Sequence, residues 1–176
     1  MKLFIQILTL LILDCNYFFV RANIIVKNDF AKLVEYDDSY LKVTSFKFYK
    51  KSRTKAALNV TYTTLYDIVS DEDMRISVAA LQFRGNEYKR TVIDFSIGIC
   101  SIYRANKFDA LNLIKDSNLK GCPFPKGPYY INDIAPTADF IPPFFPEGKW
   151  LLDMTFIHAD KIVTRVHWML SIMKKI

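Results

Sequence analysis

The chain has 176 residues, of which 51% are hydrophobic and 15% aromatic, with only five glycines. This composition excludes a disordered or fibrous protein and indicates one globular domain with a sizeable core. The formal net charge of +6 at pH 7 is mild. Its basic residues are not interleaved with aromatic ones in the pattern typical of nucleic-acid binding, so no nucleic-acid partner is expected.

The N-terminus, residues 1–22, has the features of a secretory signal peptide. A positive start at Met1-Lys2 precedes an apolar run from Leu3 to Leu13, and Val20-Arg21-Ala22 places small or apolar residues where cleavage is determined. The alternative is a membrane anchor, but polar residues such as Asp14 interrupt the run before it reaches the roughly 20 apolar residues of a span. We therefore expect cleavage after Ala22 and a secreted, extracellular domain of residues 23–176.

Cysteine usage agrees with an oxidising compartment. Cys15 falls within the predicted signal peptide, which leaves Cys100 and Cys122 as an even pair. We predict that these two cysteines form a disulfide. In the chain-entropy model, closing a loop of this length stabilises a fold by about 3 kcal/mol.

Alternation of apolar and polar residues dominates the chain and predicts β-strands. The first clear strand runs from Leu41 to Lys50. Its apolar set changes parity between Val43 and Phe46, which predicts a β-bulge near Thr44-Ser45. The basic run from Tyr49 to Lys55 that follows is either a solvated loop or a cationic hairpin tip that contacts anionic lipid headgroups.

The next predicted strand, Leu58 to Tyr66, carries the one N-glycosylation sequon of the mature chain. Leu58, Val60 and Tyr62 share one face of this strand, and Asn59 lies on the other. The alternation therefore places Asn59, the first residue of the sequon, on the solvent face, where a glycan is tolerated. Asn59 is the predicted glycosylation site.

Two hairpins follow. The acidic turn from Asp71 to Asp73 is interpreted as solvated carboxylates, with a calcium site as the alternative, and it precedes a strand from Met74 to Ala80. Gly85-Asn86 predicts a hairpin turn, after which the chain returns as a strand ending at Cys100. The last hairpin turns at Ala159-Asp160. Its inward positions are Trp150, Leu152, Met154 and Phe156, then Val166, Trp168, Leu170 and Ile172.

One segment, Asn106 to Asn118, has apolar spacing closer to that of a helix. Asn106 could cap this helix, with Asp109 favourable in its first turn. So short a helix needs tertiary support, which a Cys100–Cys122 disulfide would supply by clamping it to the sheet. The predicted fold is all-β: an immunoglobulin-like, two-sheet antiparallel β-sandwich of six to eight strands, with one short helix inserted between Cys100 and Cys122.

Residue patterns that support catalysis or metal binding are missing from the sequence. His158 and His167 have no cysteine or carboxylate nearby at metal-ligand spacing, and Cys122 has no second cysteine at the spacing of a zinc or redox motif. Nucleophile-elbow, phosphate-loop and dinucleotide-binding motifs are also missing. We expect a protein that is not an enzyme and has no cofactor or bound metal.

Aromatic residues are in excess on a proline-rich stretch before the last hairpin. Because proline-rich backbone cannot join a sheet ladder, the rings of Phe140, Phe144 and Phe145 are expected on a loop. They either plug the open end of the sandwich as core or line the mouth of an apolar cavity between the sheets. With Phe124 and Trp150, which flank the same turns, they are the candidate lipid-contacting residues.

Two stretches of the sequence, CPFPKGPYYINDI (122–134) and IPPFFPEGKWLLDMTFI (141–157), resemble the signature of a large insect family of short secreted proteins of unknown function. In that family a strand ends in a cysteine, as IDFSIGIC does here, and a short helix then leads to a second cysteine, as in SNLKGCP. The resemblance covers Tyr40 to Ile176. The family is itself similar to the ML lipid-recognition and ganglioside-activator group, whose C-P-x-x-K-G-x-x-Y run is matched at Cys122, Pro123, Lys126, Gly127 and Tyr130.

The resemblance implies two sheets splayed around an apolar cavity for lipids, and some relatives are implicated in chemosensory detection of cuticular hydrocarbons or pheromones. The expected function is a secreted carrier of a hydrophobic small molecule, with a membrane receptor or membrane surface as a further partner. The alternative is an extracellular protein-interaction module with a packed core and no ligand. Cys100 and Cys122 are farther apart here than the matching cysteines of the lipid-recognition group, so the inserted helix is expected to cover or reshape the cavity entrance.

Overall fold

The computed structural model describes residues 24–53, 55–141 and 145–174, and the predicted signal peptide and Phe144 lie outside these ranges. The described residues form eight strands: β1 (Ile24–Tyr36), β2 (Leu41–Lys50), β3 (Ala56–Thr64), β4 (Arg75–Arg84), β5 (Glu87–Gly98), β6 (Gly127–Ile134), β7 (Gly148–His158) and β8 (Lys161–Lys174). Between β5 and β6 lie two short helices, α1 (Ile99–Arg104) and α2 (Ala110–Leu113), separated by a 3-10 turn at Lys107–Asp109.

The strands pair into two antiparallel sheets of unequal width. The five-stranded sheet has the order β1-β8-β7-β4-β5, and the three-stranded sheet has the order β2-β3-β6. This arrangement confirms the predicted two-sheet antiparallel sandwich. At one side of the sandwich, β1 packs against β2 and β3. At the other side, the chain crosses from edge strand β5 to edge strand β6 through residues 99–124, called here the bridging segment.

Local sequence signals for turns and bulges are confirmed where they were strongest. The pairing of β2 with β3 shifts between Val43 and Ser45, at the predicted bulge. Gly85 and Asn86 have φ angles of 57° and 67°, so both central residues of the β4–β5 turn are left-handed. Ala159 and Asp160, with φ of 44° and 63°, make the same kind of turn between β7 and β8.

Strand β1 was not among the predicted strands. Its pairing with β8 shifts register between Asn28 and Phe30 and again between Leu33 and Glu35. Each shift reverses which residues face inward, so the strand never shows a sustained alternation of apolar and polar residues. Strand β1 therefore cannot be predicted from an alternation of apolar and polar residues.

The inserted helix is present but its predicted bounds are wrong. Helical structure begins at Ile99, directly after β5, so Cys100 lies in α1 and does not end a strand. Left-handed φ angles at Asn106 (44°) and Phe108 (57°) interrupt the helical structure after α1, and the last helical turn ends at Leu113. The Asn106 side chain accepts a hydrogen bond from the Leu111 backbone N–H at 2.9 Å.

The acidic turn fixes the start of α1 instead of carrying only solvated carboxylates. The Ser101 backbone N–H donates to Asp71 Oδ1 at 2.8 Å, and the Ser101 hydroxyl donates to Asp71 Oδ2. Arg104 Nη2 lies 3.8 Å from the same carboxylate. A Cβ atom on Gly98 would lie 2.2 Å from the Asp71 side chain, so the backbone can approach this closely only because residue 98 is glycine. Asp73 in turn accepts hydrogen bonds from the backbone N–H groups of Val69 and Ser70, both at 2.8 Å.

The far end of the bridging segment is held by a covalent bond and by strand-like pairing. The predicted Cys100–Cys122 disulfide is formed, with Cα atoms 5.3 Å apart. Phe124 exchanges two backbone hydrogen bonds of 2.8 Å with Ile68. Asn118 accepts a hydrogen bond from the Tyr130 N–H at 2.9 Å and donates one to the Pro128 carbonyl at 3.0 Å, which ties the segment to β6.

Within the described ranges, no helix has the length and apolar character needed to cross a membrane.

Removal of the disulfide in a Cys100→Ala/Cys122→Ala variant is expected to lower the free energy of unfolding by about 3 kcal/mol, because the unfolded chain regains the entropy of an open loop. Urea denaturation followed by circular dichroism measures this loss. An unchanged midpoint with an unchanged slope would contradict it.

Asp71→Asn is expected to loosen α1 while leaving the sheets intact, since a cap of this kind is worth about 1 kcal/mol. The hydrogen bonds from Ser101 hold the pKa of Asp71 below its ordinary value of 3.8, so its stabilising effect is present above that pH and is lost as the pH falls below it. Hydrogen exchange of the Ile99–Arg104 amides is the measurement. The neighbouring exposed Glu72 provides the matched control, and equal exchange in Asp71→Asn and Glu72→Gln would refute the cap.

Candidate ligand-binding cavity

A cavity of about 340 Å³ lies between the two sheets, within the range of about 300–1,000 Å³ typical of small-molecule sites. Apolar side chains from β3, β4 and β5 form much of its wall. They include Leu58, Val60, Ile76, Val78, Phe95 and Ile97. The inward face predicted for Leu58 to Tyr66 is the face that lines the cavity. The alternation in β3 therefore predicted correctly which side chains point inward.

The cavity borders two packed clusters of the core. One cluster contains Phe145, Trp150 and Trp168 and is called here the tryptophan end. The other contains Tyr62, Tyr103 and Tyr129, beside the disulfide, and is called the tyrosine end. The cavity wall includes residues from both ends. A ligand in this space would therefore meet large aromatic surfaces at each end.

The bridging segment forms one wall of the cavity. Ile102, Tyr103 and Phe108 are among the lining residues that it contributes. The Phe108 ring stacks on Phe95 of β5, with centroids 5.5 Å apart, and lies 6.1 Å from the ring of Phe140. The hydrophobic residues of this segment thus cover the space between the edges of the two sheets.

Three of the candidate lipid-contacting residues line the cavity: Phe124, Phe140 and Phe145. Phe124 packs edge-on against Tyr103, with centroids 4.9 Å apart. The sequence left open whether the rings of the proline-rich loop are core or line a cavity. Phe145 does both, because it is buried in the core cluster and also lines the cavity. Phe144 lies outside the described residues.

Trp150 is not among the residues that line the cavity, and its contact with a lipid stays a prediction. It is only 1% exposed, its ring packs behind Phe145 at 4.9 Å, and its Nε1 donates a hydrogen bond to the Pro146 carbonyl at 3.0 Å. Trp150, at an inward position of β7, is therefore a core residue that packs against Phe145.

Most polar groups in the wall are already paired within the protein. Thr164 donates to the Glu35 carbonyl at 3.0 Å, Thr64 donates to the Gly127 carbonyl at 3.5 Å, and Tyr129 donates to the Pro125 carbonyl at 2.5 Å. The hydroxyls of Tyr62 and Tyr103 make no hydrogen bond to any residue that the structure describes. Neither tyrosine was predicted from the sequence as a site residue. The alternation in β3 does place Tyr62 on the inward face, whereas Tyr103 lies in a helix that no sequence pattern predicted.

Burial keeps these phenols neutral. It raises the pKa of Tyr103 to about 12, and it also raises that of Tyr66 to about 12, with a smaller contribution from Tyr40. Burial, followed by the neighbouring phenols of Tyr103 and Tyr129, raises the pKa of Tyr62 as well. The tyrosine end therefore offers uncharged O–H donors at any physiological pH.

The predicted glycosylation site, Asn59, lies on the face of β3 opposite to the cavity lining. Its side-chain oxygen accepts a hydrogen bond from the Asp133 backbone N–H at 2.9 Å. The Asp133 carboxylate is in turn held by the Tyr49 hydroxyl and by Lys51 at 2.5 Å, so part of the basic run has a structural role. Modification of Asn59 remains a prediction.

Residues 74–152 match the model of a family described as a protein of unknown function (DUF1091). This stretch reaches from the start of β4 into β7 and contains both cysteines and the whole bridging segment. The family description carries no link to the ML lipid-recognition group, so that likeness stays a prediction. No curated protein matches the chain.

Alkaline solutions are expected to destabilise the protein between pH 10 and about 12. Unfolded tyrosines ionise near their ordinary pKa of 10.0, whereas Tyr103 in the folded protein ionises at about 12. The contribution of this phenol to stability is therefore complete below pH 10 and is lost as the pH rises toward 12.

Urea midpoints across this pH range measure the effect. Tyr103→Phe should flatten the dependence, and Tyr130→Phe, which changes a tyrosine that is 45% exposed, should not. Identical slopes for both variants would contradict the role of burial at Tyr103.

Proposed function

We propose that the protein is a secreted carrier that holds a hydrophobic small molecule between its two sheets. The observation that carries the proposal is the apolar cavity of about 340 Å³. An empty apolar cavity of this size forgoes dispersion contacts worth on the order of several kcal/mol, a large fraction of the stability of a small domain. A ligand that fills the cavity would restore these contacts.

Binding would depend on apolar burial, at about 25 cal/mol per Å² of surface removed from water. The ligand class that suits such a wall is a lipid, a cuticular hydrocarbon or a pheromone-like molecule, and delivery to a membrane receptor or a membrane surface would give the carrier a role in chemosensation. The Cys100–Cys122 disulfide supports an extracellular location, because disulfides persist in oxidising compartments. An interaction module without a ligand is less favoured, since the described side chains leave the space between the sheets unfilled.

Native mass spectrometry of the protein purified from a eukaryotic secretory host, with solvent extraction of bound molecules, tests the proposal directly. We expect a hydrophobic adduct, or uptake of the fluorophore N-phenyl-naphthylamine by the stripped protein. A protein that is always ligand-free and that also fails to take up the fluorophore would refute the carrier function.

A pair of variants on β5 locates the binding site. Ile97 lines the cavity, whereas Val92 on the same strand is 99% exposed. Ile97→Trp should fill part of the cavity and lower fluorophore affinity by on the order of tenfold, because bulk there displaces the ligand. Val92→Trp should leave affinity unchanged. Equal effects of the two substitutions on fluorescence titrations would place binding outside the cavity.

A further inference from the structure

Two neutral hydroxyl donors in the cavity wall are free to hydrogen-bond to a ligand. The Tyr62 and Tyr103 side chains line the cavity without a hydrogen bond to the described protein. Among the described side chains, only His167 has a fully enclosed polar atom without a hydrogen-bond partner. The two phenol oxygens are therefore not fully enclosed by protein atoms, and their side chains line the cavity.

These two donors are held in place by different parts of the fold. Tyr62 lies on β3 directly opposite Tyr129 of β6, with ring centroids 5.7 Å apart, and Tyr129 is itself fixed by its bond to the Pro125 carbonyl. Tyr103 lies on α1, whose start is held by Asp71 and whose Cys100 is bonded to Cys122. Both side chains pack against the same buried cluster, the tyrosine end.

Charge in the wall limits which head groups can bind. Lys107 is the only charged residue that lines the cavity among the described residues, and its side chain is exposed to solvent. A carboxylate at the tyrosine end would therefore be buried without a cation, which is unfavourable. A pure hydrocarbon would leave both phenol donors unpaired, which also costs free energy.

We infer that Tyr62 and Tyr103 form a polar subsite that donates hydrogen bonds to an uncharged oxygen head group, such as that of an ester, ketone, aldehyde or alcohol, on a long-chain ligand. The chain of this ligand extends toward the tryptophan end. The inference rests on the proposed carrier function and adds the chemical class of the ligand. Selection between hydrocarbon and oxygenated ligands is then made at the tyrosine end of the cavity.

Three probes of equal chain length test the subsite by displacement of N-phenyl-naphthylamine: dodecane, methyl dodecanoate and dodecanoate at neutral pH. The wild-type protein is expected to bind methyl dodecanoate on the order of tenfold more tightly than dodecane, because a hydrogen bond to an otherwise unpaired donor is gained. In Tyr62→Phe/Tyr103→Phe the ester should lose this advantage, because dodecane then leaves no donor unpaired and binds at least as tightly as it binds the wild type. Retained dodecane binding also shows that the double variant is folded.

A control and a spectroscopic measurement separate a binding role from a structural one. Tyr130→Phe removes an outward-facing hydroxyl next to Tyr129 and should leave ester affinity unaltered. The carbonyl band of bound methyl dodecanoate should lie at lower wavenumber in the wild type than in the double variant, because only the wild type donates a hydrogen bond to it.

Three results would overturn the inference. Equal ester preference in the wild type and the double variant would remove the subsite while leaving the carrier function intact. A preference for dodecanoate that disappears in Lys107→Gln would place the head group beside that lysine. Failure of every probe, the fluorophore included, would refute the carrier function itself.

Discussion

The Cys100–Cys122 bond joins the two ends of the segment that carries the chain from one sheet to the other. With five strands facing three, the sheets alone do not enclose the space between them, and a wall must come from elsewhere. The bridging segment supplies that wall, because the disulfide, the Asp71 cap and the Asn118 pairing hold it against both sheet edges. The cavity, the tyrosine end and the position of Tyr103 all follow from this attachment.

The sheets could be read from the sequence wherever alternation was uninterrupted. The faces of Leu58 to Tyr66, the bulge near Thr44-Ser45 and both left-handed turns followed from local rules of strand geometry. Strand β1 was missed because two bulges reverse its inward set. Helix α1 was missed because Ile97 and Ile99 continue the alternation of β5, whereas the cap that ends the strand comes from Asp71, thirty positions before Ser101.

The candidate site was less accessible to sequence reasoning than the fold. Alternation shows which side chains face inward, but it does not show whether the inward volume is filled. Phe145 and Trp150 illustrate this limit, because both are buried aromatics near the same turn and only Phe145 reaches the cavity. The hydroxyls of Tyr62 and Tyr103 have no hydrogen-bond partner among the described residues. The two side chains come to the same end of the cavity only in the tertiary fold, since one belongs to the smaller sheet and the other to the bridging segment.

The close approach of Gly98 to Asp71 ties two distant positions of the sequence together. Gly98 has an ordinary φ of −67°, so its backbone would accept any residue, and the restriction comes only from the carboxylate packed above it. A side chain at position 98 is compatible with this fold only if residue 71 withdraws, and a withdrawn residue 71 no longer holds Ser101. The two sites should therefore vary together during divergence, with loss of the glycine accompanied by loss of the aspartate and by a different seating of the helix that carries Tyr103.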